Sequence, residues 1–141
     1  MRVMMMVKTS GQSEDGMLRD AEVRLAAMGK YNEELQKAGV LLDLAGLQPT
    51  ARASKIRYEG KKRTVVDGPF AEAKELIAGF WIFDVQSKQE AIDWVRRCPN
   101  PLDGDAEIEI RQIFEDADFN DVSTPELQAA EARLREQLNK K

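Results

Sequence analysis

The sequence predicts an α+β fold of the split βαβ type, with a β-hairpin inserted between its two halves. Three observations support this prediction. Short runs of aliphatic and aromatic residues alternate with two segments whose apolar residues recur at helical spacing. Gly and Pro stand at many of the boundaries between these segments. The segments follow in the order strand–helix–strand, hairpin, strand–helix–strand.

The first half begins with a continuously apolar run at residues 3–7, which is typical of a strand buried on both faces. Residues 17–38 carry apolar side chains at steps of three and four, so they form an amphipathic helix. Gly39 suits the left-handed position that ends such a helix. Residues 40–47 form the second strand, and Pro49 ends it.

The inserted hairpin comprises residues 53–58 and 62–66, which flank a turn at residues 59–61. The motif Asp67-Gly68-Pro69-Phe70 follows. Asp bonds its own backbone, Gly permits positive φ, and Pro fixes φ and ends a strand ladder. We therefore expect the motif to form a turn that ends the hairpin and directs Phe70 inward.

The second half has a long strand at residues 76–85 and a helix at about residues 88–98. Ser87 and Glu90 have the spacing of a capping box at the start of that helix. Residues 106–114 form the last core strand. The complete order is that of a ferredoxin-like fold.

The long strand is apolar on both of its faces. Phe80 and Ile82 point one way, whereas Trp81 and Phe83 point the other. The two helices cover one face of the sheet in this topology, so the open face needs another cover. A second copy of the chain is the simplest one, and we predict a homodimer through the open sheet face that forms a dimeric α/β barrel.

We divide the chain into a ferredoxin-like domain of residues 1–116 and a C-terminal helical extension of residues 117–141. Thr124 as N-cap and Pro125 at the first helical position predict a helix that reaches about residue 139. The apolar stripe of this helix is thin. The helix either packs across a subunit or docks loosely on the surface.

Composition excludes several classes of function. The net charge of −4 and the absence of a strong basic cluster argue against nucleic-acid binding. No apolar stretch reaches the roughly 18 residues that a membrane span needs. The single cysteine, Cys98, fits a reducing, cytoplasmic location. Because the chain has no histidine, imidazole bases and histidine metal sites are excluded, and we expect neither a metal nor an organic cofactor.

Several short motifs occur together in an order typical of one family. They are Gly39-Val40-Leu41, Gly46-Leu47-Gln48-Pro49, Val65-Val66-Asp67-Gly68-Pro69-Phe70-Ala71-Glu72, Lys74-Glu75, Gly79-Phe80 and Glu107-Ile108-Glu109-Ile110-Arg111. With this set, roughly residues 1–114 of the chain resemble the DGPF branch of the YCII-related domain proteins.

The resemblance implies a bacterial, dimeric α/β barrel with no established catalytic activity. Because some relatives are associated with extracytoplasmic-function sigma factors, it also implies a possible regulatory protein partner. The wider group carries a His-Asp pair proposed as an active site. This chain has no histidine, so that pair does not carry over.

Alternation along the last strand suggests a pocket. Ile108, Ile110, Gln112 and Phe114 share one face, which we expect under the helices, so Glu109 and Arg111 face the open side. Charges on a half-buried face are either paired or exposed to a water-filled cavity. If Trp81 faces the same space, the three residues form a small-molecule site. The alternative is an interface salt bridge with aromatic packing.

The turn motif has two interpretations as well. Asp67 is an acid or base at the mouth of a pocket that Phe70 helps to line, or Asp67 caps the turn and Phe70 fills the core or the dimer seam. The candidate ligand-binding residues are Trp81, Glu109, Arg111, Asp67 and Phe70. The candidate catalytic residues are Asp67, Glu75 and Glu109.

Three hypotheses follow for function. The first is a dimeric module that binds a small organic ligand near the dimer seam, without demonstrable catalysis. The second is a histidine-free lyase or isomerase that uses one of the candidate carboxylates with a raised pKa. The third is a partner in sigma-factor-linked transcriptional regulation, with the C-terminal helix as the docking element.

Overall fold

The structure is a computed structural model that describes residues 1–9, 21–71, 76–102 and 104–140. The strands and α-helices of this part of the chain follow in the order β1 (Arg2–Lys8), α1 (Ala21–Lys37), β2 (Leu41–Gly46), β3 (Ser54–Glu59), β4 (Lys62–Asp67), β5 (Ile77–Asp84), α2 (Lys88–Arg96), β6 (Glu107–Gln112) and α3 (Pro125–Asn139). Short 3₁₀ turns occupy Thr50–Arg52 and Asp116–Phe119.

Four of the strands form one sheet in the order β2-β5-β1-β6, and every neighbouring pair is antiparallel. The hairpin β3–β4 is a separate two-stranded sheet. The predicted α+β class, with its hairpin between the two βαβ halves, is confirmed. The strand order places the two apolar strands, β1 and β5, at the centre of the sheet.

The helix ends follow local capping chemistry. Gly39 has φ 75° just after α1, as its left-handed position requires. At the start of α2, Ser87 Oγ accepts from the Glu90 amide at 3.1 Å, while the Glu90 carboxylate reaches back to the Gln86 amide at 2.8 Å. Thr124 Oγ1 accepts from the Leu127 amide and caps α3. Residues 17–20 of the predicted first helix lie outside the described residues.

The core lies between the sheet and the helices α1 and α2. Its members are Val3, Met5, Val7, Tyr31, Leu35, Val40, Trp81, Phe83, Val85, Ala91 and Leu102. The Tyr31 ring meets the Trp81 ring edge-on, with centroids 6.3 Å apart. Trp81 and Phe83 therefore face the helices, and the open face carries Phe80 and Ile82.

Past the core, β6 ends at Gln112, two residues earlier than predicted. Phe114 was expected under the helices together with Ile108 and Ile110. Instead it is exposed, and its ring packs on Phe119 at 4.8 Å. The physical reason is that residues beyond the end of a strand no longer follow its alternation.

An ion pair joins the helix α3 to the 3₁₀ turn at Asp116–Phe119. Arg135 binds both carboxylate oxygens of Asp116 at 3.1 Å. The leucines of its apolar stripe, Leu127, Leu134 and Leu138, remain exposed. Among the described residues, no helix is long and apolar enough to cross a membrane. The proposed boundary at residue 116 stays a prediction.

Candidate functional site

A cavity of about 590 Å³ lies between the N-terminal half of α1 and the sheet. It opens beside the end of β2 and the beginning of β5. Its described lining comes from α1, from the strands β1, β2 and β5, from the segment after β2 and from the loop that carries Pro101 and Leu102. The volume falls in the range of about 300–1,000 Å³ that is typical of small-molecule sites.

Two glycines form the floor of the cavity. Gly46 on β2 pairs with Gly79 on β5, which in turn pairs with Val7 on β1. These positions share the face of Trp81, which is the face toward the helices. A Cβ at Gly46 would meet no atom within 4 Å, so the sheet leaves open space under α1 at this point, whereas Trp81 and Phe83 fill it further along β5. A Cβ at Gly79 would lie 2.8 Å from the carbonyl oxygen of Ala45, so this glycine allows the backbone of β2 to approach β5 closely.

Apolar side chains form the walls and the rim. Met28 is half-buried on α1, and Leu25, Leu44 and Leu47 are 66%, 43% and 43% exposed. Single exposed leucines need no explanation, but three around one concave opening form an apolar patch. The opening therefore presents an apolar surface to solvent.

Asn32 and Trp81 provide one polar feature of the wall, and Gln48 and Arg24 are the other polar side chains of the described lining. The indole Nε1–H of Trp81 donates to Asn32 Oδ1 at 2.9 Å. An indole nitrogen can only donate, so this bond determines which end of the amide is the oxygen. Among the described lining residues, Arg24 carries the only charge, and no carboxylate is present.

Trp81 is the only predicted ligand-binding residue that lines this cavity within the described part of the chain. Glu109 and Arg111 lie on the opposite face of the sheet, because Trp81 aligns with Met5 and Ile110 across the strands. The structure therefore does not bring Trp81 together with Glu109 and Arg111. Alternation along β5 did not determine which face of the sheet carries Trp81. The contact between the Trp81 ring and the Tyr31 ring on α1 shows that it is the face toward the helices.

On the open face, Glu109 takes part in two ion pairs. Its carboxylate lies 3.7 Å from Lys8 Nζ and 2.5 Å from Arg111 Nη2. Glu109 Oε2 is shielded from solvent, and its contact with Arg111 is an ion pair without the alignment of a hydrogen bond. Arg111 is 71% exposed in its side chain, so part of its guanidinium remains accessible.

The turn motif lies at the base of the hairpin, apart from the cavity. Asp67 is exposed, and its Oδ1 accepts from Ser54 Oγ at 2.7 Å. Phe70 is half-buried, with Lys55 Nζ 4.0 Å above its ring, and its amide donates to Thr50 Oγ1. Hence Asp67 acts as a turn residue here. Glu75, the third candidate carboxylate, lies outside the described residues.

Two other titratable groups lie under the helices. The Tyr31 hydroxyl donates to the Trp94 carbonyl at 2.8 Å, and burial raises the pKa of this hydroxyl. Burial also raises the pKa of the Cys98 thiol to about 11, so little reactive thiolate exists at neutral pH. Within the described ranges, no group of three His, Cys, Asp or Glu side chains could hold a metal ion.

The fold and the cavity together define an α+β protein with an antiparallel sheet, a helix-covered core and an apolar pocket under α1. The model of the YCII-related domain family matches residues 1–115. The chain therefore belongs to the YCII-related domain family. Its place in the DGPF branch stays a prediction.

Individual proteins also resemble the chain. An uncharacterized protein of Rhizobium meliloti (strain 1021) is 35% identical over 104 residues, which are 74% of this chain and 78% of that protein. Among solved structures, 5-chloro-2-hydroxyhydroquinone dehydrochlorinase from Burkholderia phenoliruptrix AC1100, in complex with 2,5-dihydroxybenzoquinone, aligns with a TM-score of 0.43 and 16% identity. The alignment covers 83% of this chain and 98% of that one. Similarity at this level says nothing about a shared site or activity.

Sequence reasoning missed Asn32, Gly46 and the leucines of the rim. One signal was available: Gly46 and Gly79 each interrupt an apolar strand. A glycine inside a strand often marks a place where a ligand or another backbone approaches closely. That these two glycines are neighbours depends on strand register, which the sequence does not reveal.

Proposed function

We propose that the chain binds a small, largely apolar organic molecule in the cavity under α1. The observation that supports this proposal is the cavity itself, with its glycine floor, its apolar walls and the polar amide of Asn32. This combination of an apolar wall with few polar groups is the usual composition of a small-molecule site.

The proposal favours a binding module over a carboxylate enzyme. Asp67 and Glu109 are both outside the cavity, and both are already engaged by neighbouring side chains. A general base has to lie within hydrogen-bond reach of its substrate. In this proposal Trp81 contributes to ligand binding, as the sequence predicted. Glu109 and Arg111 form an ion pair on the open sheet face and do not contact the ligand.

Replacing Gly46 with leucine should weaken ligand binding while leaving the fold intact. A Cβ at Gly46 meets no atom within 4 Å, and the backbone there is ordinary for an L-residue. The new side chain would occupy the floor of the cavity. We expect wild-type protein to bind cumene (isopropylbenzene), measured by isothermal titration calorimetry, and the G46L variant to lose at least about tenfold in affinity.

Gly29→Leu is the matched control. It adds the same side chain at an open position of α1 that does not line the cavity. We expect G29L to bind cumene as the wild type does. If G46L and G29L bind equally well, the ligand lies elsewhere, and if wild-type protein binds no cumene, the proposed function is wrong.

The second part of the proposal is a homodimer through the open sheet face. Two rows of side chains cross this face from β2 to β6. The first row is Asp43, Ile82, Met4 and Arg111, and the second is Ala45, Phe80, Met6 and Glu109. The centre of the face is apolar, with an acid at one edge of the first row and a base at the other.

This arrangement is self-complementary. Packed sheets lie about 10 Å apart face to face. If the two-fold axis runs parallel to the strands between the sheets, β2 of one copy lies opposite β6 of the other. Asp43 then meets Arg111 of the partner subunit, and the apolar centres of the two faces cover each other. Such a pair of sheets would form the predicted dimeric α/β barrel.

Charge reversal should weaken this dimer, and a double reversal should restore it. We expect a dimer for the wild type at micromolar concentration in sedimentation velocity. Asp43→Arg and Arg111→Asp should each raise the dissociation constant about tenfold or more, because like charges then oppose each other. The double variant should recover much of that loss. A monomeric wild type would contradict the proposed interface. So would a double variant whose dimer is weakened by the sum of the two single effects.

A further inference from the structure

The wall of the cavity contains an amide whose orientation is determined by the protein. Asn32 lies on α1, one residue after Tyr31, and its Oδ1 is occupied by the indole Nε1–H of Trp81. Because that indole group cannot accept a hydrogen bond, the amide cannot flip without losing its partner. The Nδ2 end is therefore held in place as a donor.

The two N–H groups of Asn32 Nδ2 make no hydrogen bond to any described residue. Asn32 is half-buried and lines the cavity. A donor at an apolar wall loses free energy unless water or a ligand provides an acceptor. No described carboxylate lines the cavity to serve as that acceptor.

We propose that the ligand is an apolar molecule with a carbonyl-type oxygen, and that this oxygen accepts a hydrogen bond from Asn32 Nδ2. The proposal rests on the binding function proposed above and specifies its chemical class. Trp81 acts as a positioning residue: its indole holds the amide, and its ring forms part of the apolar wall. The site distinguishes its ligands by the presence of an acceptor, because a pure hydrocarbon leaves Nδ2 unpaired.

The test uses two probes of similar size, acetophenone and cumene. The carbonyl group of acetophenone is replaced in cumene by a carbon that carries a hydrogen and a methyl group, so cumene has no hydrogen-bond acceptor. The two probes differ in hydrophobicity, so their affinities for one protein are not compared directly. Instead, the change in affinity from wild type to each variant is compared between acetophenone and cumene. Affinities are measured by isothermal titration calorimetry on the full chain.

Two substitutions remove the donor in different ways. Asn32→Asp keeps an acceptor for Trp81 but presents a carboxylate, and Asn32→Leu replaces the amide with an apolar group of similar size. We expect both variants to weaken acetophenone relative to cumene by about tenfold, the usual effect of one hydrogen bond to an otherwise unpaired group. In the leucine variant, cumene should bind as well as in the wild type or better.

Gln36→Glu is the matched control for the new negative charge. It lies on α1 one turn beyond Asn32, is exposed and does not line the cavity. We expect no change in the affinity for either probe. The indole N–H resonance of Trp81 gives a second readout: acetophenone should shift it, whereas that of Trp94, which packs against Arg97 outside the cavity, should not move.

The outcomes separate this inference from the proposed function. If wild-type protein binds cumene but both variants weaken the two probes by the same factor, Asn32 has only a structural role and the donor inference is wrong. If acetophenone and cumene both fail to bind wild-type protein, the inference and the proposed function fall together. Selective loss of acetophenone in both variants supports the inference.

Discussion

Replacing Phe83 with alanine should lower the free energy of unfolding by about 3–5 kcal/mol, which is the usual cost of truncating a fully buried phenylalanine. Phe83 is 0% exposed and lies at the centre of the sheet, on the face toward the helices. It pairs with Val3 on β1 and Leu41 on β2, so both neighbouring strands lose packing. Urea denaturation at a fixed protein concentration measures the loss.

Phe114→Ala is the control for this change. The same atoms are removed, but Phe114 is 67% exposed and touches Phe119 past the end of β6. We expect a cost below about 1 kcal/mol, as for most surface substitutions. Equal losses in the two variants would show that the face of β5 toward the helices is not the core.

Replacing Gly68 with alanine should destabilise the chain by about 1–3 kcal/mol or more, the range for overpacking against atoms that cannot move away. A Cβ at Gly68 would overlap the carbonyl oxygen of Thr50 and lie 2.8 Å from the carbonyl carbon of that residue. The obstacle is backbone, so the hairpin base has to shift. The hydrogen bond from the Gly68 amide to the Ala53 carbonyl, at 2.9 Å, would break or lengthen.

Gly46→Ala is the matched control, because its Cβ meets nothing within 4 Å. We expect that variant to keep wild-type stability within about 0.5 kcal/mol. Limited proteolysis gives a second readout, since a displaced hairpin base should expose residues 50–54 to cleavage. If G68A and G46A unfold at the same urea concentration, the approach of Thr50 to Gly68 does not constrain the turn.

Gly68 of the turn motif is therefore required for a steric reason that the sequence did not reveal. The sequence predicted a turn from Asp67, Gly68 and Pro69, in which the glycine permits a positive φ. Gly68 is not among the described glycines with positive φ, which are Gly39, Gly60 and Gly104. Close approach of the Thr50 carbonyl is the reason that only glycine fits. The motif identifies a structural junction between the hairpin and the segment before it.

The candidate site shows a different limit of sequence reasoning. The apolar character of both faces of β5 is a local property, so the alternation of residues along the strand predicts it directly. Which face meets the helices is not local, because it depends on how α1 packs on the sheet. Placing Trp81 against Tyr31 removes it from the open face and leaves Glu109 and Arg111 there as an ion pair. The residues predicted to share one pocket therefore lie in two places. Trp81 lines the cavity under α1, whereas Glu109 and Arg111 lie on the open sheet face, whose centre is apolar.

The sequence by itself determined the order of the elements, the ends of helices at Gly39 and Ser87, and the absence of any histidine chemistry. These depend on spacing, capping and composition, which act over a few residues. Only the tertiary structure decided the register that sets Gly46 beside Gly79, and the contact that holds Asn32 against Trp81. Both bring together residues that are more than 30 positions apart in the chain, and no local pattern encodes which distant partner a residue will meet.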